Sequence, residues 1–260
     1  MNKIYHGDCI DWLKEIPPAS IDMCYIDPPF FTQRDFSLFN DRWYDSDFYI
    51  GYMKDRVKAI HRVLKPTGSI FLHCDWHSSH KLRFMLDQVF GEGNFRNEII
   101  WCYTGPSKSS NFFPRKHDTI FFYTKGGSYV FNKSKIRIPY KRKTLSAGLG
   151  MASGKKSKEE IKKAETKWIK KGKIIEDYWI DIPSGSHISK KERTGYETQK
   201  PEKLLERIIK CSTNEGDVVL DCFGGSGTTA AVAKRLGRKF ITGDISEESV
   251  RIIKERTNEI

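Results

Sequence analysis

Between residues 21 and 75 the chain alternates strand, helix and strand, and this succession narrows the possible folds more than any other feature. Ile21-Asp22-Met23-Cys24-Tyr25-Ile26 is an apolar run of strand length. Over residues 48–64 the positions Tyr49, Tyr52, Met53, Val57, Ile60, Val63 and Leu64 form a helical stripe, which Pro66-Thr67-Gly68 stops. Residues 69–75 return as a buried strand. A helix between two strands at this spacing is a βαβ unit, so an α/β fold with parallel strands is expected. A helix over 77–90 follows. Two further strand-like runs, 98–103 and 119–123, have no helical pattern between them and are expected to pair antiparallel at the sheet edge.

The first strand of that unit ends at Asp27-Pro28-Pro29-Phe30. Open α/β sheets place ligands at the carboxyl ends of their strands. The two prolines fix φ near −65° and remove two N–H donors, leaving a rigid turn of carbonyl oxygens and one carboxylate, all acceptors. An exocyclic amino group on a flat ring would supply the missing donors, and the ring of Phe30 could stack on it. Read alone, the tetrapeptide is equally an Asp-Pro turn without chemistry. The polar and aromatic loop over 31–44 has the length of a substrate lid. Trp43, Tyr44, Phe48 and Tyr49 are expected to pack rather than to stack on a ligand.

The last sixty residues hold the second informative stretch. Asp217-Val218-Val219-Leu220 reads as a buried strand running into Asp221-Cys222-Phe223-Gly224-Gly225-Ser226-Gly227-Thr228-Thr229, and an alanine-rich helix over 230–236 follows. A glycine-rich turn between strand and helix lets a ligand approach the backbone, with free N–H groups at the helix start. The next strand, 239–243, ends at Asp244, placed to accept hydrogen bonds from ribose hydroxyls. The loop lacks the G-K-[ST] of a phosphate-binding P-loop and is not G-x-G-x-x-G. A helix led by Lys200-Pro201, with Leu204, Leu205, Ile208 and Ile209 on one face, precedes it.

Charge is confined to one region. Residues 133–173 hold fifteen Lys and Arg against three Glu, an excess equal to the +12 net charge of the whole 260-residue chain, so the remainder is balanced. Such a segment suits a polyanion, though charge runs are often only solvated. It shows little apolar periodicity and reads as an insertion without regular elements, with regular order resuming at Tyr178-Trp179-Ile180; its stretch 146–154 is expected to be mobile. Lys108, Arg115, Lys141, Arg142, Lys143, Lys155 and Lys156 are the candidate phosphate contacts. Six scattered cysteines without a C-x-x-C pair point to reduced thiols rather than disulfides or zinc. His73, His77 and His80 straddle a strand end and a helix start, so capping or core roles are preferred to a metal site. With no apolar leader and no run of about 20 apolar residues, a cytosolic chain with no membrane partner is expected.

Taken together, Asp27-Pro28-Pro29-Phe30, the segment Asp221 to Thr229, and Thr198-Gln199-Lys200-Pro201-Glu202 resemble the motifs of the amino-methylating DNA methyltransferases that use S-adenosylmethionine. Leu64-Lys65-Pro66-Thr67-Gly68-Ser69 and His117-Asp118-Thr119-Ile120 add to the likeness. The order of catalytic tetrapeptide, variable segment and cofactor loop is similar to the β-class permutation. The resemblance implies a Rossmann-like, mostly parallel sheet, circularly permuted, with adjacent termini. It divides the chain into a methyltransferase domain, 1–125 with 197–260, and a basic target-recognition insertion, 126–196.

The same likeness assigns roles. Asp27 and the Pro28 carbonyl, in the turn completed by Pro29, would accept the amino hydrogens of a flipped-out base while Phe30 stacks on it. Asp8 and Cys9 would lie near the cofactor adenine, Asp221, Phe223, Gly224, Gly225 and Ser226 around its methionine portion, Lys200 at its carboxylate and Asp244 at its ribose. The implied reaction is direct methyl transfer to adenine N6 in double-stranded DNA, within a restriction-modification system that pairs the enzyme with an endonuclease. Family members are often homodimers. Cytosine N4 is the nearest alternative target, since Phe30 stands where the family more often has Tyr. An RNA or protein amide substrate and a non-catalytic DNA-binding module stand further back, the concentrated Lys and Arg arguing against a protein substrate and the intact Asp27 and glycine loop against a mere binding module.

Overall fold

A computed structural model describes residues 2–105, 109–139 and 158–259. It divides into two compact units, residues 1–131 with 177–260, and residues 132–176.

The first unit is built on an eight-stranded sheet. Its strands are β1 (Lys3–His6), β2 (Ile21–Ile26), β5 (Leu64–Cys74), β6 (Phe95–Cys102), β7 (His117–Thr124), β10 (Tyr178–Trp179), β11 (Val218–Asp221) and β12 (Lys239–Asp244). Two short strands, β3 (Arg34–Asp35) and β4 (Asn40–Asp41), form a separate antiparallel pair. Across the main sheet the order is β1-β12-β11-β2-β5-β7-β6-β10. All neighbours are parallel except those of β7, which runs antiparallel to both β5 and β6. The expected βαβ unit is present, with α2 (Ser46–Val63) joining β2 to β5. The β6–β7 hairpin also forms, but it is not the edge. Tyr178 and Trp179 pair with Ile100 and Trp101 and take the outer place. A two-residue strand carries no periodicity of its own, so pairing partners alone create it.

Strand alternation sorts the core. Cys24, Ile26, Ile70, Leu72, Cys74, Phe121 and Tyr123 pack in one cluster with Met53, Val57 and Ile60 of α2 and with Leu82, Met85 and Leu86 of α3 (Ser79–Phe90). Asp45 caps α2 by accepting from Phe48 N at 2.8 Å. A four-residue helix, α1 (Cys9–Trp12), follows β1. Towards the C-terminus, α5 (Glu202–Ser212) buries Leu204, Leu205, Ile208 and Ile209. After it, α6 (Thr228–Arg235) links β11 to β12, and α7 (Glu247–Thr257) ends the described chain. Asn2 Nδ2 donates to Glu259 Oε1 at 2.7 Å, so the two ends of the described chain meet.

The second unit contradicts the expectation of an insertion without regular elements. It contains α4 (Lys158–Lys171), together with a pair of two-residue strands, β8 (Arg137–Ile138) and β9 (Lys173–Ile174). The helix forms from Lys, Glu and Ala, which are strong helix formers, with Glu159 and Glu160 in its first turn and Lys170 and Lys171 in its last. Helix propensity and the spacing of Ile161, Ala164, Trp168 and Ile169 are the legible signals there. Residues 177–196, grouped with the insertion from the sequence, pack in the first unit. The glycine-rich stretch 146–154 lies outside the described residues.

Candidate active site

Four strand ends converge at the carboxyl edge of the sheet. They are β1 running to Asp8, β2 to Asp27, β11 to Asp221 and β12 to Asp244. A cavity of about 360 Å³ opens between them, within the usual range for small-molecule sites. The residues singled out as catalytic (Asp27, Pro28, Pro29, Phe30) and as cofactor-binding (Asp8, Cys9, Lys200, Asp221, Phe223, Gly224, Gly225, Ser226, Asp244) all line this one cavity.

The turn after β2 is held from behind. Asp41 is 1% exposed, and its carboxylate accepts from Phe30 N (3.1 Å), Phe31 N (2.8 Å), Thr32 N (2.8 Å), Thr32 Oγ1 (2.6 Å) and Trp43 Nε1 (2.9 Å). Tyr49 Oη donates to the Pro29 carbonyl at 2.8 Å. Phe31 (φ 67°) and Gln33 (φ 60°) lie in the left-handed region, a cost that this network offsets. Trp43 and Tyr49 pack as expected, with ring centroids 5.0 Å apart. Tyr44 does not, being 93% exposed, and Phe48, 62% exposed, packs in part, its ring tilted against that of Trp43 at 6.3 Å between centroids.

Asp27 presents two different oxygens. Oδ2 accepts from Lys200 Nζ at 2.6 Å, whereas Oδ1 is buried and has no hydrogen-bond partner. The Lys200 ammonium also lies 5.1 Å from the centroid of the Phe30 ring. Lys200 therefore pairs with the catalytic-type carboxylate in this structure, a contact that the sequence did not suggest across a separation of 173 positions. An unpaired buried acceptor is costly and marks a place where a donor is expected to arrive.

The glycine loop is shaped by close approach. A Cβ at Gly224 would come 2.6 Å from Thr242 Oγ1 and 2.7 Å from Ile253 Cδ1, so no side chain fits there. Gly225 (φ 49°) donates its N–H to Asp244 Oδ2 at 2.9 Å, and Ser246 N donates to Asp244 Oδ1 at 2.9 Å. Ser226 Oγ is 3.0 Å from Thr228 Oγ1. Asp221 accepts from Phe223 N at 3.0 Å. Burial pushes its carboxyl up to about 7, with Asp27 and Asp244 adding to the effect and Thr229 and the Phe223 N–H opposing it. Burial likewise raises Asp244.

At the β1 end, Asp8 caps α1 through Ile10 N at 3.0 Å, and its other oxygen pairs with the buried Arg56. The Cys9 thiol is pushed up by its hydrogen bond to Cys222 and by burial, so it is not a nucleophile. Asp41, Arg56 and His73 support the site without standing in any of the motifs, and Asp118 stands in the His117–Ile120 segment, which by itself gives it no role. Arg56 and His73 act through partners 45 or more positions away, so no local pattern announces them, whereas Asp41 fastens residues 2 to 11 positions away.

The DNA-contact candidates are only partly visible. Arg115 is exposed, with its guanidinium 3.8 Å from the Trp76 ring centroid and 4.8 Å from that of Phe112. Lys108, Lys141, Arg142, Lys143, Lys155 and Lys156 lie outside the described residues. Among the described residues no group of three metal-ligating side chains occurs, and no helix is long and apolar enough to cross a membrane.

Comparison with known proteins agrees with this geometry. The N6/N4 family described as DNA methylase matches residues 21–255. The type II methyltransferase M.BglII of Bacillus subtilis is 34% identical over 261 residues, covering 97% of this chain and 68% of that protein. DNA adenine methyltransferase YhdJ of Escherichia coli is 30% identical over 251 residues, covering 96% and 80%. A solved structure, the PvuII DNA methyltransferase described as cytosine-N4-specific, matches with a TM-score of 0.71 at 21% identity and covers 100% of this chain and 88% of that one. The chain belongs to the N6/N4 DNA methylase family, whose methyl donor is S-adenosylmethionine.

The residues present fit that cofactor. Asp8, Asp27, Asp221 and Asp244 surround the cavity with carboxylates, a lining suited to a ligand carrying a sulfonium and an ammonium. Asp244 at a strand end and the bare backbone at Gly224 and Gly225 suit a ribose and a closely packed chain.

Proposed function

We propose that this protein methylates adenine N6 within a specific sequence of double-stranded DNA. The observation that carries the reading is the buried, unpartnered Oδ1 of Asp27, lying beside the Phe30 ring in a cavity that also holds the Asp244 and glycine-loop site. An adenine amino group is a poor nucleophile because its lone pair is delocalised into the ring. Asp27 Oδ1 and the Pro28 carbonyl accept its two hydrogens and orient the lone pair, while Phe30 stacks on the extruded base. Lys200 holds the other carboxylate oxygen, so only Oδ1 is offered to the base. Asp244 binds the ribose, and Asp221 with the Phe223–Ser226 backbone borders the methionine portion. When bound, S-adenosylmethionine supplies an electrophilic methyl group on sulfur.

The adenine relative supports N6, and the ordering of motifs supports a circularly permuted sheet in which β1 lies beside β12. The excess positive charge of 133–173 supports target recognition by the region 126–196, with Arg115 as a phosphate contact. A cognate restriction endonuclease, a homodimer and a cytoplasmic location complete the reading.

Asp27→Ala tests the chemistry. Methylation of unmethylated genomic DNA is expected to disappear, while the melting temperature and DNA binding persist; a variant with full turnover would remove Asp27 from the mechanism. Mass spectrometry of the nucleosides identifies the base. N6-methyladenine supports the reading, and N4-methylcytosine keeps the same acceptors but changes the target.

A further inference from the structure

Behind Asp27 lies a rank of buried polar side chains that the reaction above does not use. Tyr25 is paired with Phe71 across β2 and β5, and His73 with Ile120 across β5 and β7. Residues two apart on a strand share a face, so Tyr25, His73 and Asp118 stand diagonally in one row. His73 is 0% exposed. Its Nε2 is 3.1 Å from Asp118 Oδ2, and its Nδ1 is 2.7 Å from Tyr25 Oη. The rings of Trp101 and Phe30 enclose it, with centroids at 5.6 and 5.5 Å. Nδ1 also lies 3.8 Å from Asp27 Oδ1, the acceptor without a partner.

The protonation of this row follows from its partners. Burial pushes Asp118 up, but the His73 hydrogen bond, the Lys200 charge and the Tyr103 hydroxyl outweigh it and hold the carboxyl below the usual range. An ionised carboxylate can only accept, so His73 Nε2 carries a proton and donates it. A ring carrying that one proton has Nδ1 as an acceptor, and the Tyr25 hydroxyl 2.7 Å away can satisfy it.

We propose that Asp118, acting through His73, is a tautomer lock: by keeping the ring proton on Nε2 it keeps a competing donor away from Asp27 Oδ1, which stays open to the amino hydrogen of the target base. The inference rests on the amino-methyl-transfer reading. Asp118 and His73 are positioning residues. With the proton on Nδ1 instead, the ring would donate towards Tyr25 or Asp27, and the base would have to displace it.

Asp118→Asn is the decisive variant. A side-chain amide can donate to Nε2 and drive the proton to Nδ1; the equivalent Asp-to-Asn change behind the histidine of a serine protease lowers kcat about 10⁴-fold through the wrong tautomer. Here kcat is expected to fall by about 10²-fold or more. KM for DNA and for S-adenosylmethionine should stay unchanged, and the nitrogen-15 shifts of His73 should move from the Nε2–H to the Nδ1–H pattern. Tyr103→Phe removes the other hydrogen bond to Asp118, at 2.9 Å, without changing the tautomer, so it keeps the Nε2–H signature and most of kcat.

A wild-type ring protonated on Nδ1 overturns the proposal, as does an Asp118→Asn enzyme with wild-type kcat. Equal losses in both variants also overturn it, since they would mark Asp118 as structural support only. If Asp118→Asn does not fold, the wild-type spectrum decides the tautomer. Wild-type protein that forms no methylated base in DNA removes the amino-transfer reading and this proposal with it. An active wild type with an indifferent Asp118→Asn removes the lock alone.

Discussion

Asp221 shows how the site trades stability for a charged pocket. Its carboxyl is shifted from 3.8 to about 7, above all by burial. A folded-state value above the unfolded one means that the protonated form favours folding. The contribution is fully present below about pH 4 and is lost as pH rises through about 7. The shift corresponds to roughly 4 kcal/mol at pH 8. Asp221→Asn keeps an acceptor for the Phe223 N–H and removes the titration. Urea midpoints measured from pH 4 to 8 should therefore fall more steeply for the wild type than for the variant, in which Asp244 and Asp75, also raised by burial, still titrate; parallel curves would show that Asp221 is solvated or neutral throughout. Lys200 is a second case, because its ammonium settles on Asp27 and selects which oxygen remains open.

The turn following β2 works as one element, and Asp41 is its fastener. Five donors converge on a carboxylate that is 1% exposed, and two of them come from Phe30 and Phe31, the residues that set the stacking ring. Without it Phe31 loses the acceptor of its N–H, and the left-handed turn keeps only the Phe31–Tyr49 ring contact and the bonds of Gln33 to the Asp41 carbonyl and to Trp43. Asp41→Ala is expected to leave the sheet folded but lower kcat by about 10²-fold, since a misplacement of about 1 Å costs that much. Retained kcat with a disordered turn in a crystal structure would contradict this. The second unit makes the opposite point, because α4 joins strong helix formers to a short stripe, Ile161, Ala164, Trp168 and Ile169, that the surrounding charge hides.

The molecule keeps its charge apart from its chemistry. Carboxylates line the cavity, while the basic excess of the whole chain resides in 133–173. If that segment grips phosphates, changing Lys141, Arg142, Lys143, Lys155 and Lys156 together to Gln should flatten the dependence of log K on log salt by up to about 4, from about 0.9 per phosphate contact. The identity of the methylated base should not change. An unaltered slope, measured by fluorescence anisotropy across a salt series, would move the phosphate contacts elsewhere.

Much of this was readable in the chain, and the reason is locality. The βαβ unit from Ile21 to Cys74, the glycine loop and the strand ends at Asp27 and Asp244 are written in consecutive residues, whose spacing dictates period, turn and strand end before anything packs. Membership of the methylase family followed from the order of those short motifs. The edge strand at Tyr178, the fastening of the turn by Asp41, the pairing of Lys200 with Asp27 and the row Tyr25–His73–Asp118 were not readable. Each depends on which strands and turns become neighbours and in what register, across separations that reach 173 residues. A buried carboxylate or histidine takes its partner, and hence its proton, from those neighbours. Local chemistry thus placed the acceptor at the end of β2, and long-range packing set which of its oxygens was left without a donor.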